Sequence, residues 1–225
     1  MAGTMRRLAI GDIHGCFDAL LRLFEFAKIS AADHVVFLGD YVDRGPDSAR
    51  VVQFLIERMQ VGNTVCLRGN HEIMMENARN MLTSRRGWAM VGGDATWDSY
   101  EQVYKGEGLD AVPDSHWEFL DNLSPSYETP DHIFVHASVD SDVDMEDQFE
   151  DVLYWGDFYS IGPHCSGKKV ICGHTSQKSG LPKSLGHAIC IDTWACGKGW
   201  LTCLDVETGI YWQANQSGET RTDRI

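Results

Sequence analysis

Short apolar runs alternate with amphipathic segments along the first third of the chain. Three of these runs, residues 8–10, 35–38 and 64–67, have the length and composition of buried strands. Each is followed by a segment whose apolar positions repeat with the period of a helix. This repetition of strand, turn and helix predicts an α/β fold whose functional site lies in the loops after the strands.

The second half of the chain is richer in strand patterns. Two hairpins are predicted, one from residues 126–128 and 133–135 and the other from residues 200–206 and 209–214. The polar tail that begins at Asn215 is expected to fray, because it contains few apolar side chains that could hold it in place.

Residues 83–110 interrupt the regular pattern. They are rich in glycine, tryptophan and charge, and their apolar positions show poor periodicity. In a compact domain such a segment is typical of a lid or of an insertion that faces the substrate. The length of 225 residues suits one domain. We therefore predict a single domain over 1–225, with a lid or insertion at 83–123.

The balance of charge argues against two classes of partner. The formal net charge is −14 with histidine counted as neutral, so nucleic acid and anionic membranes are poor partners. No apolar run approaches the ~20 residues that a membrane span needs. The hydrophobic fraction of 43% is enough for a sizeable core. We expect no nucleic-acid partner and no membrane partner.

The cysteines indicate a reducing compartment. There are seven, an odd number, and no CxxC spacing occurs. Four of them lie in apolar runs, where a reduced cysteine behaves as a small hydrophobic residue: Cys66, Cys172, Cys190 and Cys203. The first residues, 1–7, are too short and polar for a signal peptide. We therefore predict a cytoplasmic protein.

The three loops after the first strands carry groups that bind cations. They read GDIHG, GDYVDRG and RGNHE in chain order. Asp12 and His14 are two positions apart, and period-two geometry at a strand end lets both side chains face one cation. Asp40 has two carboxylate oxygens and can bridge two cations. Carboxylate, imidazole and amide oxygen together suit hard or borderline metal ions.

These motifs resemble the GDxHG, GDxxDRG and GNHE motifs of the calcineurin-like metallophosphoesterases. The likeness is to the phosphoprotein phosphatase branch, and within it to the small bacterial and bacteriophage lambda-type serine/threonine phosphatases. Two later histidines, His136 and His174, extend the resemblance in the family's order. The resemblance implies a central β-sandwich of two mixed sheets flanked by helices, an α/β fold that some schemes class as α+β.

The resemblance also implies two divalent metal ions. Manganese is the expected metal, with iron or zinc as alternatives, because the ligands mix nitrogen and oxygen. Two such ions ~3.5–4 Å apart lower the pKa of a bridging water and clamp phosphate oxygens. The implied ligands fall into two sets that share one carboxylate: Asp12, His14 and Asp40 in the first, and Asp40, Asn70, His136 and His174 in the second.

Further residues match the family's catalytic and phosphate-binding positions. The histidine that matches His71 protonates the leaving alkoxide, and such a donor accelerates the reaction by ~10²–10⁴-fold. Asp43 matches the carboxylate that orients that histidine and keeps it charged. Arg44 and Arg68 match guanidinium groups that grip phosphate in bidentate fashion, and Asn70 is also expected to contact the phosphate.

One departure from the family concerns a third phosphate-binding arginine. The lambda-type enzymes carry it soon after a tryptophan between the two later histidines. Here that segment contains Asp157, whose carboxylate would repel a phosphate, and no arginine occurs between Arg86 and Arg221. Either Lys168 or Lys169 takes the place of that arginine, or the third contact is absent.

We therefore expect a metal-dependent phosphatase that hydrolyses phosphomonoesters by direct attack of a metal-bridging hydroxide. Its partner would be a phosphoprotein, phosphorylated on serine or threonine and with tyrosine as a further possibility, or a small phosphorylated molecule. The sequence does not allow a prediction of the oligomeric state.

Two other functions compete with this expectation. The first is symmetrical dinucleoside tetraphosphate hydrolysis, a related reaction that shares the metal motifs but needs a subsite for a base. The second is a binding module that has lost catalysis, which would require a missing ligand or a missing acid. All seven residues concerned are present: Asp12, His14, Asp40, Asn70, His71, His136 and His174.

Overall fold

Two mixed β-sheets pack face to face between helices in the computed structural model, which describes residues 5–225. Residues 1–7, which are too short and polar for a signal peptide, therefore lie largely outside the described residues. The arrangement confirms the predicted sandwich of two mixed sheets flanked by helices.

One sheet has the strand order β11-β10-β9-β1-β2-β3 and the other has the order β4-β5-β6-β8-β7. The strands are β1 (Arg7–Ile10), β2 (His34–Phe37), β3 (Thr64–Cys66), β4 (Ser126–Glu128), β5 (His132–Val135), β6 (Lys169–Cys172), β7 (Lys183–Ser184), β8 (Ala188–Cys190), β9 (Leu201–Asp205), β10 (Ile210–Ala214) and β11 (Thr220–Arg224). Strands β1, β2 and β3 are parallel, as are β5, β6 and β8. The carboxyl ends of parallel neighbours therefore meet at one edge of each sheet.

The helices cover the outer faces of the sandwich. They are α1 (Phe17–Phe26), α2 (Ser48–Val61), α3 (Asn70–Asn80), α4 (Leu82–Trp88), α5 (Asp94–Val103), α6 (Asp114–Asp121) and α7 (Glu150–Trp155). A π-helical turn, Ala89–Gly93, joins α4 to α5. Within residues 5–225, none of these helices combines the length and the apolar character needed to cross a membrane.

Alternation along the strands divides the core into three layers. In β1, Ala9 belongs to the cluster between the two sheets, whereas Leu8 and Ile10 face the helices of the outer layer. In β5, Phe134 lies between the sheets and Ile133 faces the other helical layer. Both faces of these strands are buried, which explains why they read as continuous apolar runs in the sequence.

The segment 83–110 contains two helices, α4 and α5, that its poor periodicity did not reveal. Trp88, Thr96 and Tyr100 from this segment are buried. Gly92, in the π-helical turn between the helices, has a φ of 108°. The kink shifts the helical phase, so the apolar positions of α4 and α5 do not form one regular pattern. The predicted lid or insertion at 83–123 stays a prediction.

The expectation that the tail frays is wrong for Thr220–Arg224, which forms the edge strand β11 against β10. Arg221 anchors this strand. Its Nε atom donates a hydrogen bond to Gln213 Oε1 at 2.6 Å, and its guanidinium lies 4.3 Å from the centre of the Trp200 ring. Charged and threonine side chains are typical of an edge strand that must not pair with another molecule.

A bidentate ion pair ties the start of β1 to the turn before β2. Arg6 donates to the two carboxylate oxygens of Asp33 at 2.9 and 2.8 Å, and the backbone N–H of Ser30 donates to the same carboxylate at 2.8 Å. The hydrogen bonds from Arg6 outweigh burial and lower the pKa of Asp33 to about 2. The ionised carboxylate therefore stabilises the folded state.

Replacing Asp33 by asparagine is expected to lower the free energy of unfolding at pH 7 by about 1–2 kcal/mol, after a discount for partial exposure of the pair. The folded pKa lies below the unfolded value, so this contribution is complete above about pH 4 and decreases as the pH falls toward about 2. Denaturant unfolding of wild type and of Asp33→Asn at pH 7, 5 and 3 measures this contribution to the free energy of unfolding.

The exposed Asp98 serves as control, since Asp98→Asn should change the free energy of unfolding by less than about 0.5 kcal/mol. A difference between wild type and Asp33→Asn that is as large at pH 3 as at pH 7 would contradict this account.

Candidate metal centre

The loops at the carboxyl ends of strands from both sheets meet at one end of the sandwich. The first sheet contributes the loops after β1, β2 and β3, and the second contributes the residues that follow β5 and β6. The side chains brought together there are all six predicted metal ligands, Asp12, His14, Asp40, Asn70, His136 and His174.

Asp40 lies at the centre of this group. Its Oδ2 atom is 3.4 Å from His14 Nε2, and its Oδ1 atom is 3.4 Å from His136 Nε2. Asn70 Oδ1 is 2.9 Å from His136 Nε2 and 3.1 Å from His174 Nδ1. The two oxygens of one carboxylate therefore face two different sets of ligand atoms, as a bridging ligand requires.

Backbone carbonyls orient two of the imidazole rings. His14 Nδ1 donates to the Val42 carbonyl and His136 Nδ1 donates to the Leu38 carbonyl, each at 2.8 Å. This fixes the tautomer in which Nε2 is the acceptor, the form that binds a metal. Burial lowers the pKa of His14 to about 3 and that of His174 to about 4. These rings are neutral at pH 7.

Three carboxylates lie close together in the buried part of the centre, and one of them was not predicted. Burial raises the pKa of Asp12 well above its usual range, and repulsion from Asp192 and Asp40 raises it further. The unpredicted residue, Asp192, accepts hydrogen bonds from Ser176 Oγ at 2.5 Å and from the Trp194 N–H at 2.9 Å. Such a concentration of buried negative charge is stabilised by bound cations. The donor set therefore fits a pair of divalent ions.

Two motif glycines allow the backbone to approach these carboxylates. A Cβ atom on Gly173 would overlap Asp12 Oδ1, and one on Gly69 would overlap Asp40 Oδ1. Any larger residue at either position would displace the carboxylate that lies against it.

Five residues of the centre have left-handed backbone conformations. The φ angles are 46° for His14, 54° for Asp40, 73° for Asp43, 69° for Arg44 and 61° for His174. This region costs an L-residue roughly 1–2 kcal/mol, and it recurs at functional sites. The tight turns it creates bring the side chains of successive loop residues into the same small space.

His71, in the first turn of α3, contacts a second carboxylate. Its Nδ1 donates to Asp43 Oδ2 at 2.6 Å, and its Nε2 lies 2.9 Å from Arg44 Nη2 and 4.0 Å from Asp40 Oδ2. Burial opposes the charged ring, but Asp40 and Asp43 together raise the pKa of His71 above its usual value. The two carboxylates favour the protonated imidazole, which can give a proton to an adjacent oxygen, whereas the Arg44 guanidinium beside Nε2 favours the neutral ring.

Two partners of Asp43 were missed by the sequence analysis. Trp88 Nε1 donates to Asp43 Oδ2 at 2.7 Å, and Thr96 Oγ1 donates to Asp43 Oδ1 at 2.8 Å. Both lie in the segment 83–110, whose unusual composition was the one signal available. The side chain of Asp43 is fully buried, so these donors and His71 satisfy its charge.

Glu72 links the loops after β2 and β3. Its carboxylate accepts hydrogen bonds from the backbone N–H groups of Asp40 at 2.9 Å, Tyr41 at 2.8 Å and Gly69 at 2.9 Å. Burial raises the pKa of Glu72 to about 7. Its side chain holds the backbone that carries the central carboxylate.

Arg44 lies at the exposed mouth of the centre. Its Nη1 is 2.7 Å from His14 Nε2 and its Nη2 is 2.9 Å from His71 Nε2. The backbone N–H of Arg44 donates to the Gly92 carbonyl at 2.9 Å, so the turn between α4 and α5 supports it. The predicted role of Arg44 in phosphate binding stays a prediction.

The Arg68 side chain points toward the end of α6. Its Nη2 donates to the carbonyls of Leu120 at 3.0 Å and Asp121 at 3.1 Å, at the end of α6, and its Nη1 is 3.4 Å from Glu76 Oε2. A guanidinium in this position is not aimed at the centre. The predicted contact of Arg68 with phosphate therefore stays a prediction that would require this side chain to turn.

The two lysines considered as replacements for the missing arginine lie at the wrong end of β6. Lys168 precedes the strand and forms an ion pair with Glu128 at 2.7 Å, and Lys169 begins the strand. His174 follows the other end of the same strand. At the rise of an extended chain, the distance along the chain from Lys168 to His174 is roughly 20 Å. Neither lysine replaces the arginine.

A family model described as calcineurin-like phosphoesterase matches residues 5–178, more than half of the chain. Serine/threonine-protein phosphatase 1 from Salmonella typhimurium is 43% identical over 86 residues, which is 38% of this chain and 38% of that protein. The match therefore spans about two-fifths of that relative's length.

Two solved structures have a similar fold. One, described as a candidate diadenosine tetraphosphatase, has 19% identity and a TM-score of 0.66 over 99% of this chain and 95% of its own. A cold-active protein-tyrosine phosphatase of a psychrophilic Shewanella species has 18% identity and a TM-score of 0.62, over 98% of this chain and 80% of its own. At these identities the likeness concerns the fold alone. The matched family model and the fold together show that this chain belongs to the calcineurin-like phosphoesterases, a family that uses a dinuclear metal centre.

Proposed function

We propose that this protein is a dimetal phosphomonoesterase that removes phosphate from phosphoserine and phosphothreonine in proteins. The observation that carries this proposal is the pair of His71 and Asp43, joined at 2.6 Å beside the Asp40 cluster. An alkoxide is a poor leaving group, so its departure needs a positioned proton donor.

The ligands of the proposed metal pair are those given by the family motifs. When bound, the pair supplies an activated water for attack on phosphorus and positive charge for the phosphate oxygens. Manganese is our proposed metal because the ligands mix imidazole nitrogen with oxygen. The proposed ligands are Asp12, His14 and Asp40 for one ion, and Asp40, Asn70, His136 and His174 for the other.

The protein's own groups complete the reaction. Arg44 binds phosphate oxygens through its planar guanidinium, and Asn70 adds a side-chain amide at the same place. As the bond between phosphorus and the leaving oxygen breaks, His71 gives its proton to that oxygen. Asp43 keeps the ring oriented during this transfer. Inorganic phosphate and a free hydroxyl group are the products.

The second candidate is hydrolysis of a dinucleoside tetraphosphate, prompted by the fold of the candidate diadenosine tetraphosphatase. Its leaving group is a nucleotide, a stable anion that does not need the proton from His71. The formal charge of −14 also disfavours a substrate that carries four phosphates. Phosphotyrosine is a further substrate candidate, since aryl leaving groups place smaller demands on the acid.

The cellular setting that we propose is the cytoplasm, with phosphoproteins as partners and no contact with nucleic acid or membranes. Its support is the strongly acidic composition and the cysteines buried in apolar surroundings, such as Cys66 and Cys203.

A side-by-side assay tests the proposal. Metal-stripped protein reloaded with manganese is given a phosphoserine peptide and diadenosine tetraphosphate at equal concentration, and unreloaded protein serves as the control. We expect release of inorganic phosphate from the peptide, in the reloaded sample alone. Production of ADP from the dinucleotide with no phosphate from the peptide would overturn the proposal and favour the second candidate.

A further inference from the structure

The segment from α4 to α5 reaches under the candidate centre and binds Asp43. Asp43 Oδ2 accepts two hydrogen bonds, from Trp88 Nε1 at 2.7 Å and from His71 Nδ1 at 2.6 Å. Asp43 Oδ1 accepts a third, from Thr96 Oγ1 at 2.8 Å. The indole and the imidazole therefore share one oxygen, and the position of that oxygen depends on both.

The backbone around Asp43 depends on the same segment. The Asp43 N–H donates to Thr96 Oγ1 at 2.8 Å and lies 3.2 Å from Ser48 Oγ. The next N–H, that of Arg44, donates to the Gly92 carbonyl in the π-helical turn. Both residues have left-handed φ angles, so these contacts hold a backbone conformation that would otherwise be unfavourable.

The side chains that make these contacts are shielded from water. Trp88 is 2% exposed, and Thr96 and Asp43 are fully buried, so water does not replace a lost donor. A buried carboxylate that loses a hydrogen bond shifts or rotates toward its remaining partners. If Asp43 lost the donor from Trp88 or from Thr96, its remaining partners would be His71 and the other of the two, and the His71 ring would move with the carboxylate.

We propose that Trp88 and Thr96 are positioning residues for the proton donor His71, acting through Asp43. This inference rests on the proposed phosphomonoesterase function. It gives the segment 83–110 a fixed structural role in proton transfer.

The first test replaces the Trp88 indole with a phenyl ring, which keeps aromatic packing and removes the N–H donor. We expect Trp88→Phe to lower kcat for a phosphoserine peptide about tenfold, within the range for groups that orient a catalytic residue. The kcat for p-nitrophenyl phosphate and the KM for both substrates should change less than about twofold, since the aryl leaving group needs little help from the acid.

The chain provides a matched control for this variant. Trp97 packs edge-to-face against Trp88, with ring centres 5.4 Å apart, and within residues 5–225 its buried Nε1 has no hydrogen-bond partner. Trp97→Phe therefore makes the same chemical change in the same layer without removing a hydrogen bond. We expect it to leave both activities near wild type.

Thr96 gives an independent test if Trp88→Phe folds poorly. Thr96→Val removes the hydroxyl and keeps the shape, so it should lower turnover of the peptide selectively, and Thr96→Ser should restore it. Thr64→Val is the matched control, because Thr64 Oγ1 is buried without a partner among the described residues. In a His71→Asn background, neither Trp88→Phe nor Thr96→Val should lower peptide turnover further.

A spectroscopic measurement separates this inference from the proposed function. The proton on His71 Nδ1, in a short hydrogen bond to Asp43, should give a resolved downfield NMR signal in metal-free protein. Trp88→Phe and Thr96→Val should shift or broaden that signal, and Trp97→Phe should not. If wild type hydrolyses neither phosphate, the proposed function fails, and the NMR result still decides the positioning role. An unchanged signal, or equal losses on both substrates, would overturn the inference.

Discussion

The His71→Asn variant is expected to lose about 10²–10⁴-fold in turnover of a phosphoserine peptide and to keep most of its turnover of p-nitrophenyl phosphate. The peptide leaves as an alkoxide, which needs the proton that His71 supplies, whereas a nitrophenolate leaves without it. Values of kcat for both substrates at saturation measure the difference.

Metal content must be checked in the same samples, because His71 also lies in a cluster with His14 and Asp40 whose ligand atoms are within 4.8 Å of one another. A suitable control is His187→Asn. His187 Nε2 bonds to the Ile161 carbonyl, away from the centre, so this variant should resemble wild type. If His71→Asn lowered turnover of both substrates by the same factor with metal content unchanged, His71 would not be the proton donor.

Replacing Asp40 by asparagine is expected to prevent the protein from holding two metals. The Oδ1 and Oδ2 atoms of Asp40 face His136 and His14 at 3.4 Å each, and asparagine keeps one oxygen but no charge. The loss of metal affinity should exceed the roughly 10–100-fold typical of groups that merely support a ligand. Metal analysis after gel filtration should then give fewer than two ions per chain.

A thermal shift gives a second measure of the same change. Binding to the folded state raises stability by mass action, so manganese should increase the Tm of wild type more than that of Asp40→Asn. Asp98→Asn, at an exposed position on α5, should behave as wild type. Retention of two metals per chain at full occupancy in Asp40→Asn would refute the bridging role.

The parts of the fold that the sequence predicted are those governed by local pattern. Strands buried on both faces, such as β1 and β2, read as apolar runs between turn residues, and their positions were predicted to within one residue. The ligand positions were implied by the resemblance of the loop motifs to those of a known family, and each lies in a short segment directly after a strand. The meeting of strand ends brings these segments together.

The parts that escaped prediction depend on contacts between distant segments. The donors to Asp43 come from Trp88 and Thr96, about fifty residues further along the chain, and no local pattern marks them. Arg68 turns toward the end of α6 for the same kind of reason. The strand β11 was missed because its polar sequence resembles that of a loose tail until Gln213 and Trp200 are placed beside Arg221.

The left-handed turns at the candidate centre have a consequence for protein engineering. Their strain opposes folding, so a screen that rewards thermal stability alone would favour glycine or asparagine at these positions. Such replacements would relax the loops and move the predicted metal ligands apart. A library designed for a more heat-resistant variant should therefore keep these residues fixed and take its substitutions from the surface of α1, α2 and the β10–β11 edge. The fixed set is His14, Asp40, Asp43, Arg44 and His174.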